Sequence, residues 1–153
     1  MIIGINDGGC DTFNTPLNLF NQLNNIFNFT VDTACSKSNA KVRTNFAHDN
    51  GFDGLSESWE GHRAFCNPPF SKKKDWIIKA HNEVQNGCHV VVMILPLNCM
   101  STQTFFNTVI GNNYMYEILE KRVQFIDDTT KKKASGNNSG TVIVYFKKNI
   151  ASK

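Results

Sequence analysis

The spacing of apolar positions changes from one segment of the chain to the next, and the changes mark out its elements. Leu19, Phe20, Leu23 and Phe27 recur at helical spacing behind Thr15-Pro16, where Thr can cap a helix and Pro suits its first turn. Phe29 to Asp32 reads as a short strand ending on a carboxylate. Residues 36 to 61 are polar and rich in Asn, Asp, Gly and Ser, with at most an extended piece from Val42 to Phe46. The pattern then sharpens. Arg63 to Cys66 predicts a brief strand, Asn67-Pro68-Pro69-Phe70 stops it, and Ser71 is placed to cap a helix bearing Trp76, Ile77, Ala80 and Val84 that stops at Gly87. Val90 to Leu95 is apolar without alternation, as expected of a parallel strand covered by helices on both faces. Beyond Pro96, Ser101 is placed to cap a helix carrying Phe105, Phe106, Val109 and Ile110, with Gly111 at its end. Tyr116 to Ile126 and Thr141 to Lys147 are strand candidates separated by the polar loop 127 to 140; with no long helix between them, they are expected to pair antiparallel.

The strand-helix-strand unit followed by that pair predicts an α/β fold with a Rossmann-like sheet, mainly parallel and ending in an antiparallel C-terminal hairpin. A length of 153 residues fits a single domain spanning 1–153, and 41% hydrophobic residues with 12 Phe are enough to close its core. No stretch approaches the roughly 20 apolar residues that cross a bilayer, and the opening MIIGINDGGCD lacks the basic flank and apolar run of a signal peptide. The expectation is a cytoplasmic protein without a membrane partner. Cys10, Cys35, Cys66, Cys88 and Cys99 form no CxxC pair, and the four histidines are not spaced as ligand pairs, so reduced thiols and no metal site are expected. A net charge of +3 permits nucleic-acid binding without requiring it.

The segment Asn67 to Phe70 carries the clearest chemistry. It lies just past a strand, at the carboxyl edge where open α/β sheets place their ligands. Two successive prolines, Pro68 and Pro69, fix the backbone and remove two N–H donors, so the turn offers carbonyl oxygens. Such a turn suits a planar molecule bearing an exocyclic NH₂: Asn67 Oδ1 and the Pro68 carbonyl accept from the amine while Phe70 stacks on the ring. A rigid strand-ending turn with Phe70 packed in the core is the simpler alternative. Trp76 falls on the apolar stripe of its helix and Trp59 in a polar segment, and core packing is the expectation for both.

Asn-Pro-Pro-(Tyr/Phe) is the motif of amino-group methyltransferases that use S-adenosylmethionine, and the wider pattern resembles the small phage-type DNA N6-adenine methyltransferase (Dam) family. The resemblance rests, in order, on Thr15-Pro16, Val31-Asp32-Thr33-Ala34, Asn39-Ala40-Lys41, Asp53-Gly54-Leu55, Trp59, Cys66 to Phe70, the helix at Trp76 and the strand ending Leu95-Pro96, over residues 13 to 126. It implies a methyltransferase version of the Rossmann-like sheet and an enzyme that methylates adenine N6 in DNA. By the same resemblance Phe13, Asn14, Thr15 and Pro16 form a cofactor-carboxylate motif, Asp32 with Ala34 lies where the methionine ammonium group is received, and Asp53 lies near the adenosine. Without the resemblance, a helix cap or surface turn is the secondary reading of Asp32, whereas Asp53 reads equally as the first residue of an Asp-Gly turn.

One departure concerns the cofactor loop: no Gly-x-Gly follows Asp32, which disfavours a dinucleotide more than a cofactor without phosphate. Lys72, Lys73 and Lys74 directly follow the turn, and Lys131, Lys132 and Lys133 lie in the long loop. Solvated faces are the ordinary reading of both clusters; for an enzyme that flips a base from duplex DNA they are candidate phosphate contacts. Two other readings remain open from sequence: an amino-group methyltransferase acting on RNA or a protein glutamine, and a methyltransferase-like module that binds DNA without turnover.

Overall fold

A computed structural model describes residues 13–120, 123, 125–127 and 140–148. In chain order they form β1 (Phe13–Asn14), α1 (Leu17–Phe27), β2 (Val31–Cys35), β3 (Asn45–Ala47), β4 (Arg63–Cys66), α2 (Lys73–Gln85) and β5 (Val90–Pro96). There follow a short helix α3 (Gln103–Phe105), running on as a π turn over Phe106–Ile110, then β6 (Met115–Ile118), β7 (Ile126–Asp127) and β8 (Thr141–Phe146). Six strands make one sheet in the order β3-β2-β4-β5-β8-β6. The strands β2 to β5 pair in parallel, and β8 runs against both its neighbours. The sheet is thus Rossmann-like, mainly parallel with an antiparallel C-terminal pair, and β8 sits between β5 and β6. Separately, β1 pairs antiparallel with β7, Asn14 opposite Ile126.

Alternate residues of each strand feed two cores, as the period of a strand requires. Val91, Met93 and Leu95 of β5 join Ala64 and Cys66 of β4, Val142, Val144 and Phe146 of β8, and the inner face of α2 at Trp76, Ile77, Ala80 and Val84. Val90, Val92 and Ile94 join Phe65 and Ile143 on the other face, under Phe20 and Leu23 of α1. The uninterrupted apolar run of β5 is therefore two interleaved faces, each covered by helix. Phe20, Phe29 and Phe65 meet in this second core at ring-centroid distances of 5.0–5.8 Å.

Element ends differ from the sequence expectations where side chains are drawn elsewhere. α1 begins at Leu17 behind Pro16 without a side-chain cap, because the Thr15 hydroxyl is engaged by Asn67. It ends at Asn28, which takes the left-handed conformation (φ 52°) while Asn24 Oδ1 accepts the Phe29 N–H, so β2 starts at Val31 and Asp32 is its second residue rather than its end. A 3₁₀ turn over Phe70–Lys72 precedes α2, displacing the helix start from Ser71 to Lys73. Farther on, Thr102 rather than Ser101 caps α3, accepting the Phe105 N–H; Ser101 Oγ donates instead to the Asn98 carbonyl. The left-handed residue after the π turn is Asn113 (φ 58°), not Gly111. The long strand expected over Tyr116 to Ile126 is two short ones, β6 on the main sheet and β7 on β1.

The polar stretch 36 to 61 is anchored by its tryptophan. Trp59 is fully buried, its Nε1 donates to the Gly54 carbonyl at 2.9 Å, and its ring stacks on Trp76 with centroids 6.2 Å apart. Gly54 lies against the Thr33 carbonyl oxygen and the Trp76 ring so closely that a Cβ has no room. Gly54→Ala is therefore expected to destabilise the fold by about 1–3 kcal/mol, the usual range for overpacking, read as a lowered midpoint in chemical denaturation. An unchanged midpoint would show that the stretch is free to move away from β2.

Candidate active site

Parallel pairing aligns the carboxyl ends of β2 and β4, with Val31 opposite Ala64 and Asp32 opposite Phe65. The chain beyond each strand, residues 34 to 36 and 67 to 70, consequently meets at one edge of the sheet. There a cleft of about 520 Å³ opens, walled by Thr33 to Ser36 after β2, by Phe46, His48 and Asp49 at the end of β3, by Phe52 to Leu55, and by Asn67, Pro69, Lys72 and Trp76. Asn67, Ala34 and Asn39 also line a second hollow of about 10 Å³, shared with Asn14, Thr15, Asp32, Lys41 and Phe65.

Strand alternation divides the two hollows. Thr33 faces the cleft on the α2 side, where its hydroxyl donates to the Phe65 carbonyl at 3.1 Å. Asp32 faces the opposite side and is 1% exposed. Its Oδ1 accepts the Ala34 N–H at 3.4 Å and its Oδ2 the Lys41 N–H at 2.8 Å. Burial pushes its carboxyl up to about 7, opposed by those two N–H groups and by the Lys41 charge. Lys41 Nζ in turn donates to Asn14 Oδ1 at 3.4 Å. Asn14, Thr15, Asp32 and Ala34 are thereby gathered around the smaller hollow. Pro16 stands half-buried at the start of α1, and Phe13 lies in the β1–β7 ladder.

Asn67 leaves β4 half-buried, between the two hollows. Its Nδ2 donates to Thr15 Oγ1 at 2.9 Å, which turns Oδ1 away as an acceptor. Pro68 is buried and Pro69 lines the cleft. Phe70 packs on the α1 side, edge-on to Phe125 with centroids 5.9 Å apart, and remains half-buried. Asp53 lines the cleft while its carboxylate serves the turn, Oδ1 accepting from Leu55 N–H at 3.0 Å and Oδ2 from the Ser56 hydroxyl at 2.9 Å. Lys72 and Lys74 are exposed, Lys72 on the cleft wall, whereas Lys73 donates to the Phe70 carbonyl at 3.2 Å. Lys131, Lys132 and Lys133 lie outside the described residues.

Sequence reasoning missed the far wall of the cleft. Phe46 and Phe52, with centroids 5.9 Å apart, and Asp49, which accepts the Lys37 N–H at 2.8 Å, bring aromatic faces and a carboxylate to the end of β3. The available signal was two phenylalanines bracketing His48 to Gly51 in an otherwise polar stretch. Trp76 is in the core as expected, yet also lines the cleft, and its buried Nε1 has no partner among the described residues. Cys35, Cys66, Cys88 and Cys99 are free and buried, with thiols pushed up by desolvation, to about 12 at Cys88 and Cys99. No cluster of three or more His, Cys, Asp or Glu among the described residues is arranged to hold a metal ion, and no described helix is long and apolar enough to cross a membrane.

A family model for DNA N-6-adenine-methyltransferase (Dam) matches residues 5–153. A DNA N-6-adenine-methyltransferase of Haemophilus phage HP1 (strain HP1c1) is 25% identical over 139 residues, which cover 89% of this chain and 78% of the phage protein. The match takes in the strand β2, the polar stretch that closes the cleft and the turn after β4 together, and the chain belongs to the DNA N-6-adenine-methyltransferase (Dam) family.

Proposed function

We propose that the protein transfers the methyl group of S-adenosylmethionine to the N6 amine of an adenine flipped out of DNA, with Asn67 to Phe70 holding the base. The observation that carries this reading is the fixed amide of Asn67, whose nitrogen is committed to Thr15 so that Oδ1 is left to accept from an amine. The adenine N6 lone pair is delocalised into the ring, and acceptors on the amine favour its change toward tetrahedral geometry. Hydrogen bonds from N6 to Asn67 Oδ1 and the Pro68 carbonyl strengthen as positive charge develops there, so they stabilise the transition state more than the ground state. Phe70, braced edge-on by Phe125, supplies the stacking face.

The residues present fit the cofactor. The cleft combines an aromatic wall at Phe46, Phe52 and Trp76 with polar groups at Ser36, Asn39 and Asp49. Such a mixture suits an adenosine better than a phosphate, for which a glycine-rich loop is the usual cradle. Asp49, at the end of the strand beside β2, is available to ribose hydroxyls, and Leu55 and Asp53 to the adenine. The small hollow is the size of one water or ammonium group and presents the Asp32 carboxylate, with Asn14 and Thr15 beside it. When bound, the cofactor supplies an electrophilic methyl on a sulfonium; no nucleophilic side chain is required, which agrees with four buried thiols held protonated.

Incubation with labelled S-adenosylmethionine and, separately, duplex DNA, RNA and protein, followed by nucleoside analysis, is expected to give N6-methyladenine from DNA alone. Asn67→Ala should lose transfer by about 10²- to 10³-fold with cofactor binding retained. Phe70→Ala should weaken capture of the flipped base by about 1–3 kcal/mol, whereas Phe70→Tyr should remain active. Transfer at the parental rate by a folded Asn67→Ala protein would remove the turn from the reaction.

Asp32 makes cofactor affinity depend on pH. Because its free-state carboxyl titrates near 7 and an ammonium partner favours the ionised form, affinity for S-adenosylhomocysteine should rise by about tenfold between pH 6 and pH 8. Stability runs the other way: a carboxyl raised from 3.8 in the unfolded chain stabilises fully below that value, and the contribution is lost as pH rises through about 7. Calorimetry on Asp32→Asn should show weaker binding without the pH dependence. The same slope in both proteins would place the ammonium elsewhere.

Lys72 and Lys74 stand exposed where DNA phosphates would flank a base in the turn. Replacing both by Gln should weaken DNA binding and reduce the slope of log affinity against log salt by about one for each lost contact. Equal slopes would return them to ordinary solvated charges.

A further inference from the structure

We infer that Thr15 is a positioning residue for the reaction, fixing which end of the Asn67 carboxamide faces the substrate; the inference rests on the proposed role of Asn67 as acceptor for the adenine amine. The torsion that turns an Asn amide is broad and roughly two-fold, so the rigid Pro68-Pro69 backbone does not by itself choose between oxygen and nitrogen. Turned over, the amide would present NH₂ to an amine. Two donors would then oppose each other and the acceptor would be lost.

Thr15 Oγ1, 2.9 Å from Asn67 Nδ2 and 2% exposed, selects the productive orientation from 52 residues away in the chain. A hydroxyl can donate as well as accept, so the selection depends on where its own proton is drawn. In the structure the oxygen accepts from Asn67 Nδ2, with the Asp32 carboxylate, an acceptor when ionised, lining the same small hollow. The backbone around Thr15 is held on both sides. Asn14 pairs with Ile126 in the β1–β7 ladder, and the Pro16 carbonyl accepts the Phe20 N–H at the first turn of α1. The side chain nearest to the start of α1 that could cap it is thus spent on the turn after β4, and the helix has no side-chain cap.

The test compares Thr15→Val, close in shape but unable to accept, with Thr15→Ser, which keeps the hydroxyl. Rates of methyl transfer to unmethylated plasmid DNA from tritiated S-adenosylmethionine are measured beside S-adenosylhomocysteine affinity by calorimetry. For Thr15→Val, kcat at saturating S-adenosylmethionine should fall by about 10- to 100-fold, well beyond any loss of that affinity, and Thr15→Ser should recover most of the rate. A parental kcat in Thr15→Val overturns the inference. A rate loss matched by an equal affinity loss overturns it too, making Thr15 a cofactor contact. If Thr15→Val does not fold, Thr15→Ala against Thr15→Ser makes the same comparison, and a full rate in the alanine variant again overturns it. Asn67→Ala, measured alongside, separates the two claims: retained transfer there defeats the underlying reading, whereas lost transfer there with full activity in Thr15→Val defeats only the role of Thr15.

Discussion

A buried carboxylate shapes this site. Asp32 ties the N–H groups of Ala34 and Lys41 to one side chain, drawing the ends of the loop after β2 together. The rest of the loop is held the same way: Asn39 Oδ1 accepts the Ser36 N–H at 2.8 Å, and Asp49 accepts that of Lys37. Side-chain acceptors thus satisfy amides that a tight glycine turn would aim at a phosphate, and none of residues 33 to 41 has a positive φ. The missing Gly-x-Gly is thereby explained: this loop is folded around carboxylates and an amide, and needs no left-handed backbone. The arrangement costs desolvation of Asp32, visible in its raised titration, and gains a cleft wall that is already ordered.

Much of the architecture was legible because each strand carried its own pattern. The run from Val90 to Leu95 could only be a strand covered on both faces, and Arg63 to Cys66 with the proline pair behind it fixed where β4 ends. The errors have a common cause, which is competition for side chains that local rules assign to the nearest helix. Thr15 had the composition of a cap but serves Asn67; Ser101 donates back to Asn98 while Thr102 caps. Asn28 and Asn113 adopt left-handed turns that glycine would ordinarily mark. Splitting Tyr116 to Ile126 between β6 and β7 depends on β1, a partner of two residues more than a hundred positions away, which no local spacing encodes.

The candidate site was legible at its chemistry and not at its walls. Asn67 to Phe70 stand out by residue type and by position just after a strand, and Asp32 by residue type alone, since it lies inside β2 and not at its end. Phe46, Phe52 and Asp49 do not stand out, because β3 is only three residues long and the stretch around it has no period to read. Its shape comes instead from Trp59, whose indole holds the Gly54 carbonyl and stacks on Trp76. One buried aromatic organises a segment that composition alone marks as irregular, and the lining of the cleft follows from that packing.

The turn after β4 is divided between the two faces of the sheet, and the division bears on how its parts can act independently. Asn67 and Pro69 line the cleft on the side of Trp76 and α2, while Phe70 belongs to the core on the side of α1 and meets Phe125. Packing changes under α1 or near Phe125 therefore reach the aromatic member of the motif first, and changes near Trp76 reach the cleft first. Within the turn only Asn67 touches both hollows, as Ala34 and Asn39 do across from it, and its amide is held by Thr15 of the N-terminal segment. Methyl transfer requires donor and acceptor to be brought together at one point. In the proposed reaction a side chain that borders both compartments is the natural place for that point, and its orientation is set by Thr15, a residue of the small hollow's own wall.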